Sequence, residues 1–242
     1  MPLLDTWTRD SHTGGGFTFP TYRKGSGPGV IVIHEIPGLT PTVIGYAEEL
    51  VAAGYTVVLP HLFGRPEEPM NALSVARTLA NVCVRAEFTK LATGVTAPVV
   101  DWLRSLAREL HAELGGPGVG ALGMCFTGGF ALAMMVDDAV AAPVLAQPSV
   151  PFAVSRKHAA DVNLSPADLA TVKERVAGGC QVLGLQFPSD PMTGSRFSTL
   201  SRELGDGFLR VDLPGKGHGT VTEDRREEAV DAVRDFFASR LR

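Results

Sequence analysis

The chain has 242 residues and a formal net charge of -4 at pH 7, and 45% of its residues are hydrophobic while 20% are charged. This composition is that of a folded globular protein and argues against disorder over most of the length. A weakly acidic chain has no general electrostatic attraction for nucleic acid or for an anionic membrane surface, so we expect a small-molecule partner.

The three cysteines, Cys83, Cys125 and Cys180, form neither a CxxC pair nor a zinc-ligand spacing. An odd number is also a poor basis for a disulfide framework, which favours a reducing compartment. The first ten residues lack a basic start and a long apolar core, and no stretch has the length and apolarity of a membrane span. We therefore expect a cytoplasmic protein without a signal peptide.

Predicted strands and helices alternate along the first half of the chain. Thr40 followed by Pro41 is typical of a helix N-cap with proline at the first helical position, and Gly54 ends that helix. The β-branched run at 30–33 is typical of a central parallel strand that is buried on both faces. The predicted elements are strands over 17–23, 30–33 and 55–60, and helices over 41–53, about 70–93 and 99–114.

The same alternation continues to the end of the chain. It predicts a mainly parallel central sheet with helices on both faces, within one domain over residues 1–242. In such a sheet ligands bind at the carboxyl ends of the strands, so we looked for chemistry there. The predicted elements are strands over 118–122, 139–145, 180–185 and 208–213, and helices over 165–178, 195–204 and 222–241.

The stretch from Gly118 to Gly129 has the layout of a nucleophile elbow. An apolar strand reaches Gly123, a cysteine follows at Cys125, and small residues open the next helix. A side chain at the tip of such a sharp turn has a strained backbone, and small neighbours let strand and helix approach closely. A helix N-terminus would also favour the thiolate of Cys125, although a free cysteine is more often a small buried hydrophobe.

Candidate partners for Cys125 follow other predicted strands. His218 lies in a glycine-rich loop between a strand and the last helix, and imidazole is a suitable base because its ordinary pKa is near neutrality. Asp190 is the first acid after the strand at 180–185, and Asp212 is its main competitor for orienting the imidazole. The chain order of nucleophile, acid and histidine is that of an α/β-hydrolase.

Two further features involve the loop after 30–33, one of them together with the elbow at Cys125. The backbone N–H groups of Ile36 and Phe126 are candidate donors for an oxyanion hole, which acyl transfer requires. Glu35 is not required by a triad, and a carboxylate beside a thiol opposes ionisation of the thiol through like-charge repulsion. A solvated loop glutamate is the alternative interpretation of Glu35.

The chain resembles the dienelactone hydrolase family. The resemblance lies in the segment Val30-Ile31-Val32-Ile33-His34-Glu35-Ile36-Pro37-Gly38-Leu39, in Gly123-Met124-Cys125-Phe126-Thr127-Gly128-Gly129, in Asp190 and in Gly217-His218-Gly219. It implies an α/β-hydrolase fold, a triad of Cys125, His218 and Asp190, and an oxyanion hole from the amides of Ile36 and Phe126. It also implies that Glu35 holds the resting thiol proton until substrate displaces it.

The chain departs from the family pattern at two places. Thr127 stands where the family commonly has the first glycine of a Gly-Gly pair, and no arginine directly follows His218; the first is Arg225. An arginine there is expected to bind the carboxylate of a dienelactone. The dienelactone itself is therefore not the expected substrate, and Arg85 is the other candidate for binding an anionic group, although a helical arginine is more often a surface charge.

These features predict a hydrolase that needs no cofactor or metal and cleaves a lactone or small activated ester through a thioester on Cys125. Hydrolysis of other acyl or phosphoryl esters at the same oxyanion hole is one alternative. A catalytically silent protein of this fold, which binds a ligand or senses oxidation through Cys125, is another. A metal hydrolase is disfavoured because the sequence has no HExxH motif or comparable ligand pair.

Overall fold

A computed structural model describes residues 2–242 of the chain, which form eight strands and eight helices together with short 3-10 turns. The strands are β1 (Thr8–Gly14), β2 (Phe17–Lys24), β3 (Gly29–Ile33), β4 (Thr56–Pro60), β5 (Val119–Met124), β6 (Val140–Ala146), β7 (Val182–Gln186) and β8 (Phe208–Asp212). The helices are α1 (Pro41–Ala52), α2 (Ala72–Val84), α3 (Val99–Leu114), α4 (Gly128–Met134), α5 (Arg156–Ala160), α6 (Pro166–Ala177), α7 (Arg196–Leu204) and α8 (Glu227–Leu241).

All eight strands form one sheet in the order β1-β2-β4-β3-β5-β6-β7-β8. The strands from β4 to β8 pair in parallel, whereas β1 with β2 and β2 with β4 pair antiparallel. Parallel neighbours need crossover connections, and helices supply them between the central strands. The predicted mainly parallel sheet is confirmed, and its carboxyl edge brings the ends of β3, β5, β6, β7 and β8 together.

The sheet separates two apolar layers. Ile31 and Ile33 of β3 pack into one layer, while Val30 and Val32 pack into the other, because successive strand residues point to opposite faces. Helices α3, α4 and α7 cover the first face, and α1 and α8 cover the second. Burying each such side chain contributes about 1.5–3 kcal/mol to folding, so both faces hold the sheet in place.

The predicted start of α1 is confirmed. The Thr40 hydroxyl accepts a hydrogen bond from the Val43 amide at 3.3 Å, and Pro41 occupies the first helical position. A side-chain acceptor at this position satisfies one of the amides that the first helical turn leaves free. The loop between β3 and α1, which carries Glu35 and Ile36, therefore ends at a capped helix.

Other boundaries differ from the prediction. The last helix begins at Glu227 and not near Thr222, because residues 219–226 form successive turns, including hydrogen bonds from the amides of Thr222 and Asp224 to Gly219. The helix predicted over 70–93 spans only Ala72–Val84. Strand β1 was not predicted, since it is a polar edge strand in which only His12 is buried. The short helix α5 was also missed.

Among residues 2–242, none of the helices combines enough length with enough apolar character to cross a membrane.

Candidate active site

Cys125 lies at a sharp turn between β5 and α4. Its φ angle of 51° is in the left-handed region that non-glycine residues seldom adopt, and a 3-10 turn over Cys125–Thr127 leads into the helix. A Cβ atom on Gly123 would lie 2.3 Å from the Thr127 carbonyl oxygen, and one on Gly128 would lie 2.6 Å from the Cα atom of Pro148. The small residues around the cysteine are therefore required for the close approach of strand and helix.

Thr127 ties this turn to the neighbouring strand. Its side chain is fully buried, and its hydroxyl accepts a hydrogen bond from the Met124 amide at 3.1 Å. The same hydroxyl lies 2.8 Å from the carbonyl oxygen of Ile33, to which it can donate. The departure from the family's glycine thus adds a polar contact between the ends of β5 and β3, which are the ends that carry Cys125 and Glu35.

The structure brings His218 and Asp190 into direct contact. The Nδ1 atom of His218 lies 2.7 Å from Oδ2 of Asp190. The same Asp190 oxygen accepts from the Thr193 hydroxyl at 2.7 Å, and Oδ1 accepts from the Met192 amide at 3.0 Å. Burial opposes ionisation of Asp190, but these hydrogen bonds outweigh it and lower its pKa.

His218 has the opposite shift. Burial alone would lower its pKa, but the hydrogen bond to Asp190 and the adjacent Cys125 sulfur outweigh burial and raise the pKa to about 10. Its Nε2 atom is buried and has no hydrogen-bond partner within residues 2–242. Since Nδ1 is held by Asp190, Nε2 is the ring nitrogen left to exchange a proton with another group.

The competing acid, Asp212, lies elsewhere. Its Oδ1 atom accepts hydrogen bonds from the Gln186 side-chain amide at 2.7 Å and from Nε of Arg210 at 2.9 Å. The predicted preference for Asp190 over Asp212 therefore has geometric support.

Glu35 is buried beside the cysteine and the histidine. A carboxylate oxygen of Glu35, the sulfur of Cys125 and a ring nitrogen of His218 all lie within 4.8 Å of one another. Burial raises the pKa of Glu35, and the hydrogen bond from the Thr222 hydroxyl, together with the His218 charge, offsets only part of that effect. These three donor atoms are also the ones in this site that could hold a divalent metal ion.

The two candidate oxyanion residues flank the same space. Ile36 and Phe126 directly follow Glu35 and Cys125, and all four residues line one cavity together with His218. Phe126 is fully buried and contacts Phe63 and Phe88 edge to face, with ring centroids 5.5 Å apart in each pair. This packing restrains the backbone on either side of the cysteine.

Several residues of the site were not identified from the sequence. Gln147 directly follows β6 with a φ angle of 38°, and its side-chain oxygen accepts from the Thr220 hydroxyl at 2.6 Å. Its position after a strand was a usable signal, because the same rule identified Glu35 and Cys125. Thr193 and Thr222, which bind Asp190 and Glu35, gave no comparable local signal.

Arg85 is held away from the cavity. Its Nε atom lies 2.6 Å from Glu87, and its NH1 group donates to the Leu62 carbonyl oxygen at 2.7 Å. Its guanidinium also stacks over the ring of Phe88, 4.7 Å from the centroid. These contacts engage the guanidinium, and Arg85 is not among the residues that line the cavity with Cys125.

His34, which shares the strand end with Glu35, has a structural role. Its Nε2 atom accepts a hydrogen bond from the Leu62 amide at 3.1 Å, which leaves Nδ1 as the donor to the Glu35 carbonyl oxygen at 3.1 Å. Complete burial lowers the pKa of His34 to about 3. The imidazole is therefore neutral near pH 7 and connects the β3 and β4 strand ends.

A mostly parallel eight-stranded sheet with helices on both faces, and with a cysteine, an acid and a histidine in that order at its strand ends, defines an α/β-hydrolase fold. The model of the dienelactone hydrolase family matches residues 17–167. The chain therefore belongs to the dienelactone hydrolase family and is an ester-bond hydrolase. A comparison with curated protein sequences finds no significant match.

Solved structures share this fold over nearly the whole chain. A putative dienelactone hydrolase from Klebsiella pneumoniae is 18% identical with a TM-score of 0.64, and the alignment covers 96% of this chain and 98% of that one. A dienelactone hydrolase from Anabaena variabilis is 16% identical with a TM-score of 0.67, covering 98% of each chain. A dienelactone hydrolase-like promiscuous phosphotriesterase from metagenomic libraries is 17% identical with a TM-score of 0.66, covering 98% of this chain and 99% of that one.

The buried neutral state of His34 predicts a pH dependence of stability. The unfolded imidazole has a pKa near 6.5, so the stabilising contribution of folded His34 is complete above that pH and is lost as pH falls from 6.5 towards 3. The unfolding free energy of the wild type should therefore fall as the pH is lowered from 6.5 to 4.5. In the His34→Gln variant this fall should be smaller by up to about 1.4 kcal/mol per pH unit. Urea unfolding at several pH values measures this difference. The same pH dependence of the unfolding free energy in both proteins would contradict the prediction.

Proposed function

We propose that this chain is a cysteine hydrolase that cleaves a small ester or lactone through a thioester on Cys125. The observation that carries the proposal is the convergence of the Cys125 sulfur, a His218 ring nitrogen and a Glu35 oxygen within 4.8 Å, with Asp190 held 2.7 Å from the other side of the imidazole. A thiol, a base and a group that orients the base are the components that nucleophilic catalysis requires.

In the proposed acylation step, substrate displaces Glu35 and the thiol proton of Cys125 passes to Nε2 of His218. The sulfur then attacks the substrate carbonyl carbon and forms a C–S bond. The amides of Ile36 and Phe126 donate hydrogen bonds to the resulting oxyanion. The C–O bond then breaks, and the leaving oxygen takes a proton from Nε2 of His218. Asp190 stabilises the imidazolium while the ring carries this proton, which agrees with the raised pKa of His218.

Water completes the proposed reaction. His218 takes a proton from the attacking water, the C–S bond breaks, and the carboxylic acid product leaves while the sulfur recovers its proton. For a lactone substrate the alcohol stays attached to the acyl group, so the product is a hydroxy acid. No redox step or co-reactant other than water is involved.

Glu35 is proposed to set the resting state of the thiol. As the family resemblance implies, its carboxylate holds the thiol proton until substrate displaces it. The raised pKa of the buried Glu35 makes it a better proton acceptor than a solvated glutamate. His218 favours the thiolate through its positive charge, so the two neighbours act on Cys125 in opposite directions.

A second candidate reaction is hydrolysis of neutral phosphotriesters at the same thiol. One structurally similar protein is named a promiscuous phosphotriesterase. The cavity is lined mainly by apolar side chains, which suits an uncharged triester better than a charged phosphate monoester.

The first prediction concerns the nucleophile. Cys125→Ala should lower kcat/KM for activated esters at least about a thousandfold, because it removes the attacking atom. The matched control is Cys83→Ala, which removes an exposed cysteine and should leave the activity unchanged. With p-nitrophenyl acetate, rapid-quench mass spectrometry should detect a transient acetyl adduct on Cys125.

Three outcomes would contradict this mechanism. They are full hydrolysis by Cys125→Ala, turnover without any adduct on Cys125, and loss of activity on treatment with a chelator that Zn²⁺ restores. The last result would instead assign Glu35, Cys125 and His218 to a metal site. Ligand binding without turnover would favour the catalytically silent alternative.

A comparison of two aspartate variants tests which acid orients His218. Asp190→Asn should lower kcat at least about a hundredfold, because the imidazolium loses its buried counter-charge and the preferred tautomer changes. Asp212→Asn should retain wild-type kcat, since Asp212 is bound to Gln186 and Arg210. Steady-state kinetics with one ester decides between them, and the assignment is wrong if the Asp212 variant is the more impaired.

The role of Glu35 predicts a change in thiol reactivity. Glu35→Gln removes the adjacent negative charge, so at pH 6–7 resting Cys125 should react with iodoacetamide at least about three times faster. Glu228→Gln, which removes an exposed carboxylate in the first turn of α8, is the matched control and should not change the rate. Both variants are measured in a Cys83→Ala background, and equal rates in all proteins would show that Glu35 does not restrain the thiol.

A further inference from the structure

We infer that the substrate of this site is an uncharged ester or lactone with an apolar acyl group, and not a carboxylate-bearing one. The inference rests on the proposed function and adds its substrate class. It is carried by a cavity of about 490 Å³ that opens onto Cys125 and His218. That volume lies within the range of small-molecule sites, so the acyl group and its substituents can be enclosed.

The charges around this cavity oppose an anionic substrate. None of the residues that line it in the described chain is a lysine or arginine. Its ionisable members are Glu35, Cys125 and His218, which are already placed in the reaction. A substrate carboxylate would therefore lose its water of hydration without gaining a new counterion, and it would lie in the same cavity as Glu35.

The two arginines considered as candidates for an anionic group have other partners. Arg85 is bound to Glu87 and to the Leu62 carbonyl oxygen. Arg225, the first arginine after His218, pairs with Glu49 at 2.8 Å and with Glu227 at 2.7 Å. Recruiting either arginine to a substrate anion would break existing ion pairs or hydrogen bonds, so neither supplies a free cation.

The walls of the cavity are apolar on several sides. Val75 and Leu79 lie one helical turn apart on α2 and both face the cavity. Phe152 and Val154 come from the loop after β6. Met192 comes from the loop that carries Asp190. Val154 is 70% exposed and Met192 is 46% exposed, so the mouth is apolar as well. A flexible methionine at that position can adapt to acyl groups of different shape.

The wild-type enzyme tests the inference directly. A series of p-nitrophenyl esters from acetate to octanoate should show kcat/KM rising about two- to fourfold per added methylene until the cavity is filled. The mono-p-nitrophenyl esters of succinate, glutarate and adipate, which carry a terminal carboxylate, should be poorer than neutral esters of equal chain length by about a hundredfold. Equal or better rates for the carboxylate esters, or no increase with chain length, would overturn the inference.

A charge introduced on α2 tests where the acyl group lies. Leu79→Arg should raise the ratio of kcat/KM for the adipate monoester over the hexanoate ester at least about tenfold, since it provides the missing cation. Leu73→Arg places the same charge on the same helix, at a residue that is 73% exposed and does not line the cavity, and should leave the ratio as in the wild type. An unchanged ratio in Leu79→Arg would refute the placement along α2. The ratio is measured on one protein sample, so partial loss of folded protein cancels.

Failure of this inference can be told apart from failure of the proposed function. If Cys125→Ala keeps its activity on all esters, the cysteine mechanism is wrong. If activity depends on Cys125 but carboxylate-bearing esters are preferred, only the substrate class is wrong.

Discussion

The left-handed backbone of Cys125 is the constraint on which the rest of the site depends. Such a conformation costs about 1–3 kcal/mol, so it persists only where the surroundings enforce it. Here Gly123 allows the Thr127 carbonyl to approach, and the Thr127 hydroxyl connects the turn to Ile33. The same contacts that force the cysteine into its strained conformation fix the distance between the ends of β5 and β3. Cys125 and Glu35 are thereby positioned by one set of buried contacts.

Burial and hydrogen bonding affect the pKa values of the two acids of the site, Asp190 and Glu35, to different extents. Asp190 has three hydrogen-bond donors, so it is ionised despite its burial, and it stabilises the charged form of His218. Glu35 has the Thr222 hydroxyl as its donor, and its pKa is raised. The two carboxylates beside one imidazole therefore have opposite pKa shifts. Burial is the largest cause of the shift at Glu35, whereas the hydrogen bonds to Asp190 together outweigh its burial.

The reaction and its selectivity are determined by different parts of the chain. The proposed reacting groups lie on the turns at the carboxyl edge of the sheet, whereas the proposed acyl-binding surface comes from α2 and from the loops after β6 and β7. The turns are restrained by the strands, so they carry the geometry that catalysis needs. Several lining residues, namely Val75, Leu79, Val154 and Met192, are only partly buried or exposed, so we expect changes among them to alter the accepted substrate without moving Cys125. In the described chain that lining contains no lysine or arginine. The ester chemistry of the fold therefore does not bring with it a preference for carboxylate-bearing substrates.

Local patterns in the sequence predicted seven of the eight strands, most helices and the four strand-end residues Glu35, Cys125, Asp190 and His218. They could do so because side-chain periodicity and turn composition act over only a few residues. The triad itself stays a prediction, now supported by the contact between His218 and Asp190. Tertiary structure alone decided which residues support these groups. Thr222 binds Glu35 across 187 positions of the chain, from a series of turns that precedes the last helix at Glu227. The orientation of Arg85 and the apolar lining likewise arise from packing between distant segments, which no local spacing encodes.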